Sequence, residues 1–93
     1  MIKNFRHKGL ERFFKTGVTS GIQAKHAVKL RVQLTALNVA KKPSDMSAPS
    51  WKLHPLKGET LKGRWAISVN GNWRLTFKFE DEDVILVDYQ DYH

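Results

Sequence analysis

Ninety-three residues carrying sixteen Lys and Arg against nine Asp and Glu make a short chain of net charge +7, a size at which one modest core can form but not two. The absence of cysteine excludes a disulfide framework and thiolate zinc ligation, and leaves the cytoplasm as the expected compartment. No apolar run has the length of a signal peptide or membrane span, whereas three Trp, five Phe and two Tyr supply large areas to a small interior.

In chain order, Met1 to Phe5 alternates and reads as a short first strand. From His7 onward, Leu10, Phe13 and Phe14 form one apolar stripe at helical spacing, with Gly17 as a left-handed stop after Thr16. The segment Thr19 to Ala40 reads as a long amphipathic helix, with Ser20 and Gln23 in capping-box spacing and Ala27, Leu30, Leu34 and Leu37 facing the core. Lys41 to Ser50, with two prolines and three serines, is a connection containing a single turn at Ser44 to Met46. Thereafter Trp51 to Leu56, Gly63 to Val69, Asn72 to Phe79 and Val84 to Tyr89 read as strands. Helices first and strands last predict an α+β fold: one domain over residues 1–93, with N-terminal helices packed on a twisted, mostly antiparallel β-sheet.

The parity of the two central strands constrains their turn. A two-residue loop at Asn70-Gly71 would mix the apolar and polar sets. A three-residue loop, with Gly71 left-handed at a bulge, pairs Ile67 with Trp73 and Trp65 with Leu75. Arg74, Thr76 and Lys78 then share the face opposite the tryptophans, which is polar and positive.

Charge is unevenly spread. Residues 1–79 hold all sixteen Lys and Arg with three acids, and residues 80–93 hold six acids with no Lys or Arg. A body this basic attracts polyanions, of which phosphate backbones are the commonest. Metal-free cleavage of RNA needs a base for the 2′-OH, an acid for the leaving 5′-oxygen and cations at the phosphorane. His54, followed by Pro55 and the Lys57-Gly58 turn, is one candidate for such a role. Arg64 and Arg74 carry guanidinium forks that match phosphate oxygens. Asp91, Tyr92 and His93 add a carboxylate, a phenol able to stack on a base and a second imidazole. The spacing of His54, Asp88, Asp91 and His93 matches no known metal-ligand pattern, and no cofactor is expected. His7 and His26 are read as structural. On these residues alone, a non-catalytic RNA- or ribosome-binding module fits as well as a nuclease.

The strings LHPLKG (Leu53 to Gly58), GRWAISVNGNWRLTF (Gly63 to Phe77) and DYQDYH (Asp88 to His93), with the opening MIKNFRHKGLERFFKTG, closely resemble the HigB toxins of the RelE-like superfamily over essentially the whole chain. The resemblance implies helices packed on a twisted sheet and a metal-independent mRNA endonuclease acting in the ribosomal A site, so that translation stops. Implied partners are the 70S ribosome with its 16S rRNA, mRNA and a HigA-type helix-turn-helix antitoxin, with DNA reached only through the antitoxin complex and no membrane involved. Carried over by motif, His54, Lys57, Arg74, Asp91, Tyr92 and His93 form the expected catalytic set, and Arg64 and Lys78 the expected RNA-binding pair.

Overall fold

The structure is a computed structural model and describes residues 1–92. Helix α1 spans Lys8–Thr16. Its start is capped by His7, whose Nδ1 accepts the Leu10 N–H at 2.9 Å. Its end is set by Gly17 at φ 82°, whose N–H donates to the Phe13 carbonyl at 2.8 Å. Leu10 and Phe13 are buried, as the apolar spacing predicts.

The second helix is shorter than the sequence suggests: α2 spans Ala27–Val39, preceded by a single 3₁₀ turn at Ala24–His26. The expected capping box of Ser20 and Gln23 does not form, because residues 19–23 are drawn into another contact. Gly21 crosses Gly9 so closely that a Cβ on either would lie 2.5 Å from the other's backbone. The Gln23 N–H is turned to the Tyr89 hydroxyl at 3.4 Å. From α2, Leu30, Gln33, Leu34 and Leu37 are buried. Gln33 is tolerated there because its Nε2 donates to the Ser68 carbonyl at 2.8 Å.

The connection carries two further 3₁₀ turns, at Pro43–Met46 and Pro49–Trp51, the first held by Asp45 Oδ2 accepting the Lys41 and Lys42 N–H groups at 2.9 and 3.2 Å. The expected strand from Trp51 to Leu56 shrinks accordingly to β1, His54–Pro55. Trp51 belongs to the turn, Lys52 sits at φ 52°, and proline has no N–H to continue a ladder.

Strands β2 (Arg64–Asn70), β3 (Trp73–Glu80) and β4 (Asp83–Asp91) complete an antiparallel sheet in the order β1-β2-β3-β4. Met1 to Phe5 makes parallel bridges at Ile2 with Val84 and Phe5 with Val87, which covers the outer edge of β4. Asn4 Oδ1 accepts the Leu86 N–H at 2.7 Å where β4 bulges and Leu86 adopts φ 57°.

The β2–β3 register departs from expectation by two residues. Asn70 pairs with Trp73 around Gly71 and Asn72, and a bulge between Ser68 and Asn70 then restores parity, so that Ile67 faces Leu75 and Trp65 faces Phe77. A two-residue turn is therefore compatible with matched apolar faces, because the bulge takes up the odd residue. Gly71 supplies the left-handed corner at φ 55°. β4 also runs past its expected end at Tyr89 to Asp91.

The core is a single layer between helices and sheet, in which Leu10, Leu30, Leu34 and Leu37 meet Ile67, Leu75, Phe77, Val84 and Val87, all fully buried. Each such side chain contributes about 1.5–3 kcal/mol of burial. Among the described residues, no helix is long and apolar enough to cross a membrane.

Candidate nucleic-acid interface and active site

Residues paired across antiparallel strands share a face, so the register fixes what the sheet presents away from the helices. Three rows result: Arg64 with Lys78; His54 with Ala66, Thr76 and Asp88; and Ser68 with Arg74 and Gln90. The outer face is polar and positive, as parity predicts. Arg64 and Lys78 stand directly opposite one another, a like-charge pair that destabilises a sheet unless an anion occupies the gap. Among the described residues neither makes an ion pair. The Lys78 stem crosses Gly63, where an added Cβ would lie 3.3 Å from Cε.

His54 is exposed at the β1 edge, and its Nδ1 lies 2.8 Å from the Lys52 carbonyl oxygen. A carbonyl only accepts, so Nδ1 carries the proton and the neutral ring keeps its lone pair on Nε2. Lys57 is exposed in the connection to β2, beside Gly58 at φ 109°, ψ 154°, a conformation open essentially to glycine alone. Arg74 is half-buried, and its Nη1 donates to the carbonyls of Gly71 at 2.8 Å and Trp73 at 3.1 Å. The anchored guanidinium has three further N–H groups on Nε and Nη2.

Asp91 lies opposite Trp73, and Tyr92 extends the ladder, its N–H donating to the Asn72 carbonyl at 2.8 Å. His93, the last member of the expected catalytic set, lies outside the described residues. Two groups emerge. Arg74, Asp91 and Tyr92 gather at the end of the β3–β4 pair. His54 and Lys57 belong to the β1 edge, three strand spacings from β4, or about 14 Å across the sheet. Of the expected catalytic residues that are described, His54 and Arg74 lie in rows of the polar face, with the small Ala66 and Thr76 between, whereas Asp91, paired with Trp73, falls on the opposite face at the strand end.

Of two further neighbours, Gln90 was not singled out from the sequence and Asp88 was weighed there only as a metal ligand. Gln90 stands directly opposite Arg74, and its Nε2 donates at 3.1 Å to Asp88 Oδ2, while Asp88 Oδ1 accepts the Tyr89 N–H at 2.8 Å. Their placement depends on the register, which the strings alone do not give.

Beneath this strand end lies a buried aromatic cluster. His26 is 2% exposed and its Nδ1 is 2.6 Å from the Tyr89 hydroxyl. Tyr89 stacks on Trp73 at 4.5 Å between ring centroids, and His7 meets it edge-on at 5.4 Å. Burial, with the nearby Lys25 charge second, lowers the His26 pKa below its ordinary value, and burial raises that of Tyr89. The Tyr89 oxygen accepts the Gln23 N–H, and its own O–H is available to a neutral His26 Nδ1. His7 caps α1, and His26, in the turn that leads into α2, ties that turn to β4.

An antiparallel meander backed by two helices, with lysine, arginine and histidine on its outer face, defines a small basic α+β protein. A family model described as the RelE-like toxin of type II toxin-antitoxin system HigB matches residues 3–93, and the chain belongs to that family. Endoribonuclease HigB of Proteus vulgaris is 43% identical over 93 residues, with all of both chains covered. A type II system pairs its toxin with a protein antitoxin, so an antitoxin is a partner of this chain.

Proposed function

We propose that this chain is a ribosome-dependent mRNA endonuclease, cutting in the ribosomal A site by metal-independent attack of the ribose 2′-OH and so inhibiting translation. The observation that carries the reading is the full-length identity of 43% to a protein named Endoribonuclease HigB. The polar face is chemically suited to that task. His54 Nε2, with its tautomer set by Lys52, or the Asp91 carboxylate removes the 2′-OH proton, and His93 protonates the departing 5′-oxygen. Such acid–base assistance contributes about 10²–10⁴ in rate. Lys57 and the anchored Arg74 neutralise the phosphorane, Tyr92 stacks on the nucleotide, and Arg64 with Lys78 holds the adjoining backbone.

The 70S ribosome, through 16S rRNA and mRNA, and a HigA-type helix-turn-helix antitoxin are the partners in a cytoplasmic setting; DNA is met only through the antitoxin complex. The test is cleavage of mRNA-programmed ribosomes in the presence of a chelator, with analysis of the new ends. A 2′,3′-cyclic phosphate and a 5′-hydroxyl are expected. Arg74→Ala should abolish cleavage while ribosome binding persists. Binding without new ends in the parent chain would instead mark a non-catalytic RNA- or ribosome-binding module.

A further inference from the structure

Helix α2 is apolar on two opposite faces. Leu30, Leu34 and Leu37 meet the sheet, whereas Val28, Val32 and Val39 are 79%, 55% and 71% exposed. The valines follow at steps of four and seven, which stacks them in one stripe about half a turn from the core stripe. Thr35 falls within it, and because its hydroxyl donates to the Arg31 carbonyl at 2.7 Å, the methyl group is what it can offer a neighbour. Valine is a poorer helix former than alanine or lysine, so helix formation does not account for three of them on the outside. Beside the stripe runs a groove of about 240 Å³ between the helices, lined by Phe13, Phe14, Arg31, Leu34 and Thr35, with the Arg31 guanidinium 5.3 Å above the Phe13 ring.

We propose that this outer face of α2, with the groove beside it, is the docking surface for the antitoxin, which lays an acid-flanked apolar helix along the valine stripe. Helical spacing on one side suits a helix on the other, and the groove accepts one large apolar anchor. Charge selects the occupant. Lys29 and Arg31 flank the stripe on α2, Lys25 lies just before the helix, and α2 itself contains no acid. A second copy of this chain would bring the same positive rim against itself. RNA would answer the charge but leave the valines without an apolar partner. An acidic, apolar protein segment satisfies both, and membership of a type II family supplies such a protein partner.

The surface is separate from the polar face of the sheet, so binding can be measured without RNA and the inference does not depend on the nuclease reading. The test uses the antitoxin purified from the co-expressed pair, with its affinity for the free chain measured by calorimetry or competition. The double variant Val28→Glu/Val32→Glu, checked for folding by circular dichroism, should weaken antitoxin binding at least ~100-fold and abolish rescue of growth by the antitoxin, with cleavage unchanged. Lys25→Glu/Lys29→Glu, which keeps the stripe, should weaken binding about tenfold and flatten its salt dependence. Antitoxin affinity within twofold of the parent in the valine variant would overturn the proposal. So would loss of ribosome binding, or of a dimer of the free chain, with antitoxin affinity intact.

Discussion

Removal of one buried oxygen should reveal how the strand end is held. In Tyr89→Phe the rings remain, so the 4.5 Å stack on Trp73 survives. What is lost is the 2.6 Å bond to His26 Nδ1 and the acceptor for the Gln23 N–H. Neither imidazole nitrogen would then have a partner among the described residues, since Nε2 already has none. A neutral hydrogen bond contributes about 1 kcal/mol, and an orphaned buried group adds about 1–3 kcal/mol, so the variant should lose roughly 2–4 kcal/mol. For a domain of this size about 1 kcal/mol lowers Tm by roughly 4–8 °C, which sets the expected fall at no less than about 8 °C. Thermal denaturation followed by near-ultraviolet circular dichroism measures it, with the exposed Tyr92→Phe as the control that should not move. A fall below ~3 °C in Tyr89→Phe would refute the assignment of the His26–Tyr89 bond as a structural tie.

The same cluster gives a pH signature. Folding favours neutral His26, whose folded-state pKa lies below its ordinary 6.5, so its contribution is intact above that value and is lost as pH falls beneath it. Urea unfolding should therefore show stability declining from about pH 6.5 downward, by up to about 1.4 kcal/mol per pH unit. The lowered Asp45 acts only below its ordinary 3.8, so a profile flat from pH 7 to 5 would contradict the reading. Gly21→Ala should lower the urea midpoint by the equivalent of about 1–3 kcal/mol, because the new Cβ meets the Gly9 backbone and not a flexible side chain. An unchanged midpoint would contradict that close crossing. Arg74→Lys keeps the charge but loses the fork and its bonds to Gly71 and Trp73. Cleavage should fall on the order of 10²-fold with ribosome binding retained, as read by single-turnover kinetics.

Periodicity carried the helices and the sheet because both report burial. The spacing of Leu10 and Phe13, and of Leu30, Leu34 and Leu37, identified the buried sides of α1 and α2 before any packing was known. It failed where a distant contact overrode local preference. Ser20 and Gln23 have the wording of a helix start, but the Gly9–Gly21 crossing and the Tyr89 hydroxyl hold that stretch in a turn. Asn70-Gly71 pointed to the hairpin, yet the Ser68–Asn70 bulge moved the partners by two. The outer-face cations were legible from parity alone. The separation of His54 and Lys57 from Arg74, Asp91 and Tyr92 was not, since it depends on strand order. Nor was the neighbour relation of Gln90 and Arg74, which depends on register.

The central proposal is tested most directly by primer extension on a defined mRNA incubated with the purified chain, with and without translating ribosomes, beside a His93→Gln variant. New 5′ ends within codons, present only with ribosomes and absent in the variant, are the expected result. No new ends in either condition, with ribosome binding intact, would contradict it.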